Sequence, residues 1–265
     1  MNDIERETYL LRAKVDRLYQ LRKEEALCLL KQFSELVIRP YLSMSWGKDS
    51  IVAYSLVRRV FPDIRVVYVN CGEFDEWPDT LRVKTLMCDR FGIDLVEVQA
   101  ESVVQCFRRV GYWYPPPAKT DQEHASDTLY SDSFLNAIDL VTGDCDGNIM
   151  GLRAEESAGR ASLFTYRGPI YYRHGNGNAG AKCGRYVCCP LHDWTTDNIW
   201  TYHAEFDLPY NELYDCPGVE PRRRRNGAMF GGTGAERGGL QTAKRLYPDL
   251  FNHFAAEFPA VRCYT

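Results

Sequence analysis

Apolar positions fall first at helical spacing and then in short β-branched runs. Residues 2 to 37 hold neither Gly nor Pro, and Leu11, Val15, Leu18 and Leu21 recur every three or four positions. That period predicts a helical N-terminal extension over 1–37. Pro40 ends it, and Tyr41 to Met44 lead into Ser45-Trp46-Gly47-Lys48-Asp49-Ser50. The apolar segment Ile51 to Val60 reads as a helix. Ile64 to Asn70 is β-branched and bounded by Pro62 and Gly72, the pattern of a buried strand. A helix over Thr80 to Phe91, a strand over Asp94 to Val98 and a fourth short strand over Ile149 to Leu152 continue the alternation. Helices are also expected at Thr196 to Phe206 and near 240–257. Strands alternating with helices predict a parallel α/β sheet. Residues 111 to 128, stiffened by Pro115, Pro116 and Pro117, read as a loop.

Composition narrows the class. The chain has 265 residues, 45% of them hydrophobic, enough for one sizeable core with appendages. A net charge of -4 gives the surface no overall basic footprint. The first twenty residues are too charged for a signal peptide, and no apolar run would span a bilayer. The expectation is an intracellular, cytoplasmic protein with no membrane partner. Its ten cysteines then read as thiols, metal ligands or catalytic groups rather than disulfides.

Between a strand and a helix, the Ser45–Ser50 segment presents unshared backbone N–H groups and the positive end of the helix dipole. This is an anion site suited to phosphate. Ser45 and Ser50 add hydroxyls and Lys48 a charge; the loop is expected to lie at the surface. Its spacing is not that of the Walker A loop. An ordinary strand-to-helix turn with a serine cap is the alternative.

These six residues resemble the PP-loop, S-G-G-K-D-S, of adenine nucleotide alpha hydrolases, with Trp46 replacing the first glycine. Asn70, Cys71 and Gly72 resemble the D-T-G of phosphoadenosine-phosphosulfate (PAPS) reductases and the small subunit of ATP sulfurylase. Gly151-Leu152-Arg153-Ala154-Glu155-Glu156-Ser157 with Arg160 resembles their G-[IL]-R-x-x-E-S-x-x-R. Pro190 to Thr195, Ile199-Trp200 and Leu208 to Asp215 resemble P-L-x-D-W-T, V-W and L-P-Y-N-P-L-Y-D. The segments stand in family order between about 40 and 215.

The resemblance implies a doubly wound α/β fold of the PP-loop type over 38–216, followed by an Arg/Gly-rich segment and helix over 217–265. It implies that the loop holds phosphate or sulfate oxygens. Asn70, Cys71 and Gly72 would line an adenosine pocket. Gly151, Arg153, Glu156 and Arg160 would complete the nucleotide site, with Lys48 and Arg153 catalytic. The other reading of Arg153 is a surface ion pair with Glu155 or Glu156. Asp193 is expected to cap the helix that follows it, and Trp194 to pack in the core.

The sequence also departs from the family. Thioredoxin-dependent PAPS reductases carry a C-terminal E-C-G-L-H. Here the chain ends Val261-Arg262-Cys263-Tyr264-Thr265, which reads as an ordinary tail thiol. Cys183, Cys188, Cys189 and Cys216 flank one predicted helix and are candidate ligands for zinc or an iron–sulfur cluster; buried free thiols are the other reading. Arg222 to Arg225 read as a solvated face, a lid over phosphates or a nucleic-acid contact. Two reactions compete. One is an ATP pyrophosphatase, with Mg²⁺, a sulfur-donor protein and a nucleic-acid acceptor, as in thiolation or phosphorothioation. The other is a reductase-like enzyme acting on PAPS or adenylylsulfate. A nucleotide-binding regulatory module is the third reading.

Overall fold

A computed structural model describes residues 1–72, 76–102, 104–105, 108, 134–175, 184–216 and 239–265. Helix α1, Asp3–Val15, opens on a capping box in which Asn2 accepts from the Glu5 N–H and Glu5 accepts from the Asn2 N–H. The expected continuous helix is interrupted at Asp16. Its backbone is extended (φ -80, ψ 98), and its carboxylate accepts from the Tyr19 N–H to start α2, Arg17–Ser34. The helical stripe at Leu11, Val15, Leu18 and Leu21 is exposed. The buried face runs instead through Ala13, Tyr19, Ala26, Leu30 and Phe33, which join the main core beside the sheet.

Among the described residues the sheet has six strands: β1 Pro40–Met44, β2 Arg65–Asn70, β3 Leu95–Gln99, β4 Gly147–Ile149, β5 Ile170–Arg173 and β6 Arg185–Cys188. Their order is β3-β2-β1-β4-β6-β5. Every pair is parallel except β5 with β6. From β1 the chain builds outward through β2 and β3, then returns to place β4 on the other side of β1. The crevice at the carboxyl ends of β1 and β4 is therefore the topological switch point, where open α/β sheets hold their ligands.

Helices cover both faces. Helix α3, Lys48–Val57, and α4, Thr80–Phe91, pack with α2 over one face, contributing Ile51, Val52, Leu56, Val83 and Met87 to the main core. A helix over 134–142, α5, covers the other face: Ala137 and Ile138 pack beneath Val67, Val69, Val96 and Val98. Helix α6, Ala158–Arg167, sends Phe164 and Leu163 onto Val187. Helix α7, Thr196–Phe206, lies on the α3 side and carries Ile199 and Tyr202 into the main core.

Two sequence expectations shift, and three elements are added. The fourth strand ends at Ile149 rather than Leu152, because the chain must turn at Gly151 to pass the start of α3. A Cβ there would sit 3.0 Å from the Asp49 carbonyl oxygen. Strands β5 and β6 and helix α6 arise from a Tyr-, Arg- and Gly-rich stretch with no clear period. The expected C-terminal helix is two, α8 Gly239–Leu246 and α9 Pro248–Glu257. Pro248 stands at the first helical position of α9, where its missing N–H costs nothing, while its ring would clash inside a continuous helix. These helices form a second core with Trp77, Val104 and Leu213.

Candidate nucleotide site

At the carboxyl end of β1, Ser45 and Ser50 face each other across the loop, their hydroxyl oxygens 3.2 Å apart. The Ser50 hydroxyl donates to the Gly47 carbonyl at 2.9 Å. Gly47 caps α3 with extended backbone and no side-chain oxygen, so the N-cap residue accepts from none of the first-turn N–H groups. That leaves the dipole end and its donors for an anion.

Trp46 takes a left-handed conformation, φ 56, at the position where the family's loop has glycine. For a residue with a Cβ this costs on the order of 1–2 kcal/mol. Burial of the whole indole offsets it: the ring is fully enclosed and meets Tyr68 of β2 edge-on, 5.7 Å between centroids. Trp46 thus anchors the loop from below, and its side chain points into the core.

Lys48 and Asp49 were expected on the surface. Lys48 is instead 2% exposed. Its Nζ lies 2.7 Å from Asp49 Oδ2, and the ammonium sits 5.5 Å from the centre of the Tyr214 ring. Asp49 Oδ1 meets Arg153 Nε at 2.7 Å. Arg153 is buried too, at 2% exposed. Its Nη1 donates to Glu155 at 2.7 Å and to the Trp194 carbonyl at 3.1 Å. The anticipated pairing with Glu155 exists, but as one arm of a buried network rather than a surface pair. Burial alone would push the Asp49 carboxyl up; the charges of Lys48 and Arg153 outweigh it and hold it below its ordinary value. The same two effects oppose each other at Glu155, where Arg153 and Thr196 win and the carboxyl is again held down.

Glu156 accepts from the Arg153 N–H at 2.9 Å and pairs closely with Arg160. Gly151, Arg153, Glu156 and Arg160 are therefore brought together beside the loop. Asn70 closes the turn after β2: its side chain accepts from the Gly72 N–H at 2.8 Å and donates to Glu97 at 2.7 Å. Gly72 takes φ 81, a conformation that only glycine adopts freely. Cys71 is buried against Val69 and Ala137.

Some expected roles move. The cap of α7 is Thr195, which accepts from the Asn198 N–H; Asp193 instead pairs with Arg22 at 3.2 Å. Trp194 packs in the core as expected. Among the described residues, Cys188 and Cys189 do not converge as ligands. Cys188 lies in the main core while its neighbour Cys189 faces Phe164 and Val187 on the opposite side of the sheet. Successive strand residues point to opposite faces, so the pair cannot bind one ion without refolding β6. Cys216 is partly exposed, and Cys183 lies outside the described residues, as do Arg222 to Arg225 and the loop 111–128. Among the described residues no group of three or more His, Cys, Asp or Glu could hold a metal ion. Cys188 and Cys189, on opposite faces of the sheet, therefore do not share one ion. Among the described residues, no helix is long and apolar enough to cross a membrane.

Tyr214 was missed. Its hydroxyl accepts from the Lys48 N–H at 3.4 Å, and burial pushes its pKa upward. The sequence signal was present, because Tyr214 belongs to the segment Leu208 to Asp215, but nothing in its spacing ties it to Lys48.

The phosphoadenosine phosphosulfate reductase domain family matches residues 39–217. A phosphoadenosine 5'-phosphosulfate reductase of Xanthomonas axonopodis pv. citri is 28% identical over 178 residues, covering 66% of this chain and 65% of that protein. Its counterpart in Xylella fastidiosa is also 28% identical, with 67% of its length covered. The chain thus spans about two thirds of these relatives. In fold it resembles the phosphate complex of Candida auris PAPS reductase, at TM-score 0.52 and 14% identity, over 81% of this chain and 92% of that one. It also resembles Candida glabrata FMN adenylyltransferase bound to FMN and an ATP analogue, at TM-score 0.50 and 17% identity, over 74% and 60%.

Proposed function

The chain belongs to the phosphoadenosine phosphosulfate reductase domain family, and from that premise we propose that it binds ATP at the 45–50 loop and uses it for sulfur transfer. The observation that carries this is the switch-point anion site: the Asp49 and Ser50 N–H groups at the start of a helix whose N-cap, Gly47, makes no side-chain cap bond, beside the buried cations Lys48 and Arg153. In the proposed reaction an acceptor oxygen attacks the α-phosphorus, the bond to the β-phosphate oxygen breaks, and pyrophosphate leaves. A sulfur nucleophile then attacks the carbon or phosphorus that bears that oxygen, its bond to the oxygen breaks, and AMP leaves with the oxygen. A sulfur-donor protein and a nucleic acid are the partners this chemistry calls for.

The chain's contribution is electrostatic. Loop N–H groups and Lys48 face charge that grows on the departing pyrophosphate. Mg²⁺, held on the nucleotide's phosphates, would neutralise the same charge. Asp49, Glu155 and Glu156 are each already engaged by cations or N–H groups, so they fit the role of struts better than that of metal ligands.

A second reading is favoured by the relatives. The proteins matched are PAPS reductases, so sulfonucleotide reduction with the sulfate end at the same loop is the alternative. Incubation with ATP, PAPS and adenylylsulfate separately, scoring pyrophosphate and sulfite, decides between them. Pyrophosphate from ATP supports the proposal. Sulfite from a sulfonucleotide, with no turnover of ATP, replaces it.

A further inference from the structure

The peptide plane between Lys48 and Asp49 carries the Lys48 carbonyl on one edge and the Asp49 N–H on the other. Because the peptide is rigid, whatever holds the carbonyl also aims the N–H. Beside the helix's own bond from the Val52 N–H, a second holder of that carbonyl lies 155 residues away on α7. His203 Nε2 is 2.9 Å from the Lys48 oxygen, and its Nδ1 is 3.4 Å from the Leu208 oxygen.

The ring's surroundings select its protonation. His203 is 2% exposed. It stacks against Trp200 at 5.2 Å and meets Tyr210 at 5.9 Å. The charges facing it are Lys48 and Asp49, which oppose each other. Burial pushes the imidazole pKa down to about 4, against the pull of the two carbonyls. At neutral pH one nitrogen carries hydrogen, and the shorter contact assigns it to Nε2.

The other end of α7 is tied to the opposite side of the loop. Glu155 accepts from the Thr196 N–H at 2.5 Å and its hydroxyl at 2.9 Å, while also pairing with Arg153. Helix α7 therefore grips the loop at two points, through Arg153 to Asp49 and through His203 to Lys48.

We propose that His203 is a positioning residue for the anion site: its Nε2–H fixes the Lys48 carbonyl and so sets the direction of the Asp49 N–H. The inference rests on the reading of the 45–50 loop as the phosphate-binding element. His203→Phe keeps the ring's bulk and removes the donor. His203→Gln returns an N–H near the Nε2 position. Tyr202→Phe is the packing control; it loses the 3.1 Å contact between the Tyr202 and Ser55 hydroxyls, on the same two helices, without touching Lys48.

Calorimetry with inorganic pyrophosphate and with ATP reads the loop directly, and turnover supplies KM and kcat. Affinity should fall about tenfold in His203→Phe, the scale of one lost hydrogen bond. It should return to within about threefold in His203→Gln and stay unchanged in Tyr202→Phe. ¹⁵N-histidine spectra of the wild-type protein should show a neutral Nε2–H tautomer from pH 5 to 8. The inference is overturned if His203→Phe binds pyrophosphate as the wild type does, if Tyr202→Phe loses as much affinity, or if the spectra show the Nδ1–H tautomer. Wild-type protein that binds neither pyrophosphate nor ATP instead removes the loop reading itself.

Discussion

Arg153 and Asp49 lie 104 residues apart in the chain and meet at 2.7 Å, Nε to Oδ1, below the surface of the site. The pair joins the end of β4 to the start of α3. Removing one partner leaves the other's charge buried. Arg153→Ala should therefore destabilise the fold by about 3–5 kcal/mol, the usual cost of breaking a buried ion pair. Arg153→Lys should recover little of it, since one ammonium cannot serve Asp49, Glu155 and the Trp194 carbonyl at once. Urea unfolding of the two variants measures this. Losses within about 1 kcal/mol would mean the network is dispensable for the fold.

Asp49 also makes an acid-side prediction. Its carboxyl is held below the ordinary value, so the stability it confers is present above the unfolded value near 4 and drains away as pH falls through the folded one. Unfolding midpoints between pH 3 and 7 should fall more steeply for the wild type than for Asp49→Asn. Parallel profiles would contradict the assigned pairing.

Glu76 predicts the opposite sign. Burial pushes its carboxyl up to about 7, against the hydrogen bond from the Tyr68 hydroxyl at 2.5 Å and the charge of Lys84. Its second oxygen is buried without a hydrogen-bond partner among the described residues. A raised folded value means stability that is full below about 4.5 and lost as pH climbs through 7. Glu76→Gln should match the wild type near pH 4.5 and exceed it at pH 8 by at most about 3 kcal/mol. A variant less stable than the wild type at pH 8 would show that the charged form is accommodated.

How much of this was legible in the sequence follows from how local each feature is. Ser45 to Ser50 could be read because strand, turn and helix start are fixed by adjacent residues. Helix α4 and strand β2 could be read from their own periods. The break at Asp16 was hidden because one carboxylate, not a Gly or Pro, starts the second helix. The apolar positions of α1 and early α2 misled, since Leu11 and Val15 face outward while Tyr19 carries the contact with Trp194. Burial of Lys48 could not be read, and of the clamp on Arg153 only the pairing with Glu155 could. Both depend on Asp49, Glu155, Trp194 and Tyr214 converging from four separate segments.

The thiols offer a chemical check on that geometry. Burial pushes Cys189 up to about 12 and raises Cys188 as well, while Cys28 and Cys263 are exposed. Because the thiolate is the reactive form, iodoacetamide at pH 8 should label Cys28 and Cys263 in folded protein and reach Cys188 and Cys189 only after denaturation. Anaerobically purified protein should carry no iron or zinc that is lost on Cys188→Ala or Cys189→Ala. Metal that disappears with either substitution would require β6 to open and would restore the ligand reading.

The choice between the two reactions turns on Cys263. A sulfonucleotide reductase needs a thiolate that attacks the substrate sulfur. Such a thiolate needs a cation or a helix N-terminus to form at neutral pH. Cys263 lies within the short 3-10 segment Pro259–Tyr264, exposed, with Arg262 as its neighbour in sequence. It lacks the glycine and histidine that follow the reductases' cysteine. An ATP pyrophosphatase needs no thiol in its first step; it needs positioned phosphates and cations, and the loop, Lys48 and Arg153 supply those. Cys263→Ser should therefore leave pyrophosphate release from ATP within about twofold of wild type, since an exposed thiol outside the site contributes little to fold or binding. Lys48→Ala should lower the same rate by about a hundredfold or more, the scale seen when one transition-state charge contact is deleted. Sulfite release from PAPS with a thiol donor, run in parallel, is the opposing readout. Sulfite that forms with the wild type and vanishes in Cys263→Ser would make this chain a reductase, with its nucleophile in the segment the sequence had set aside.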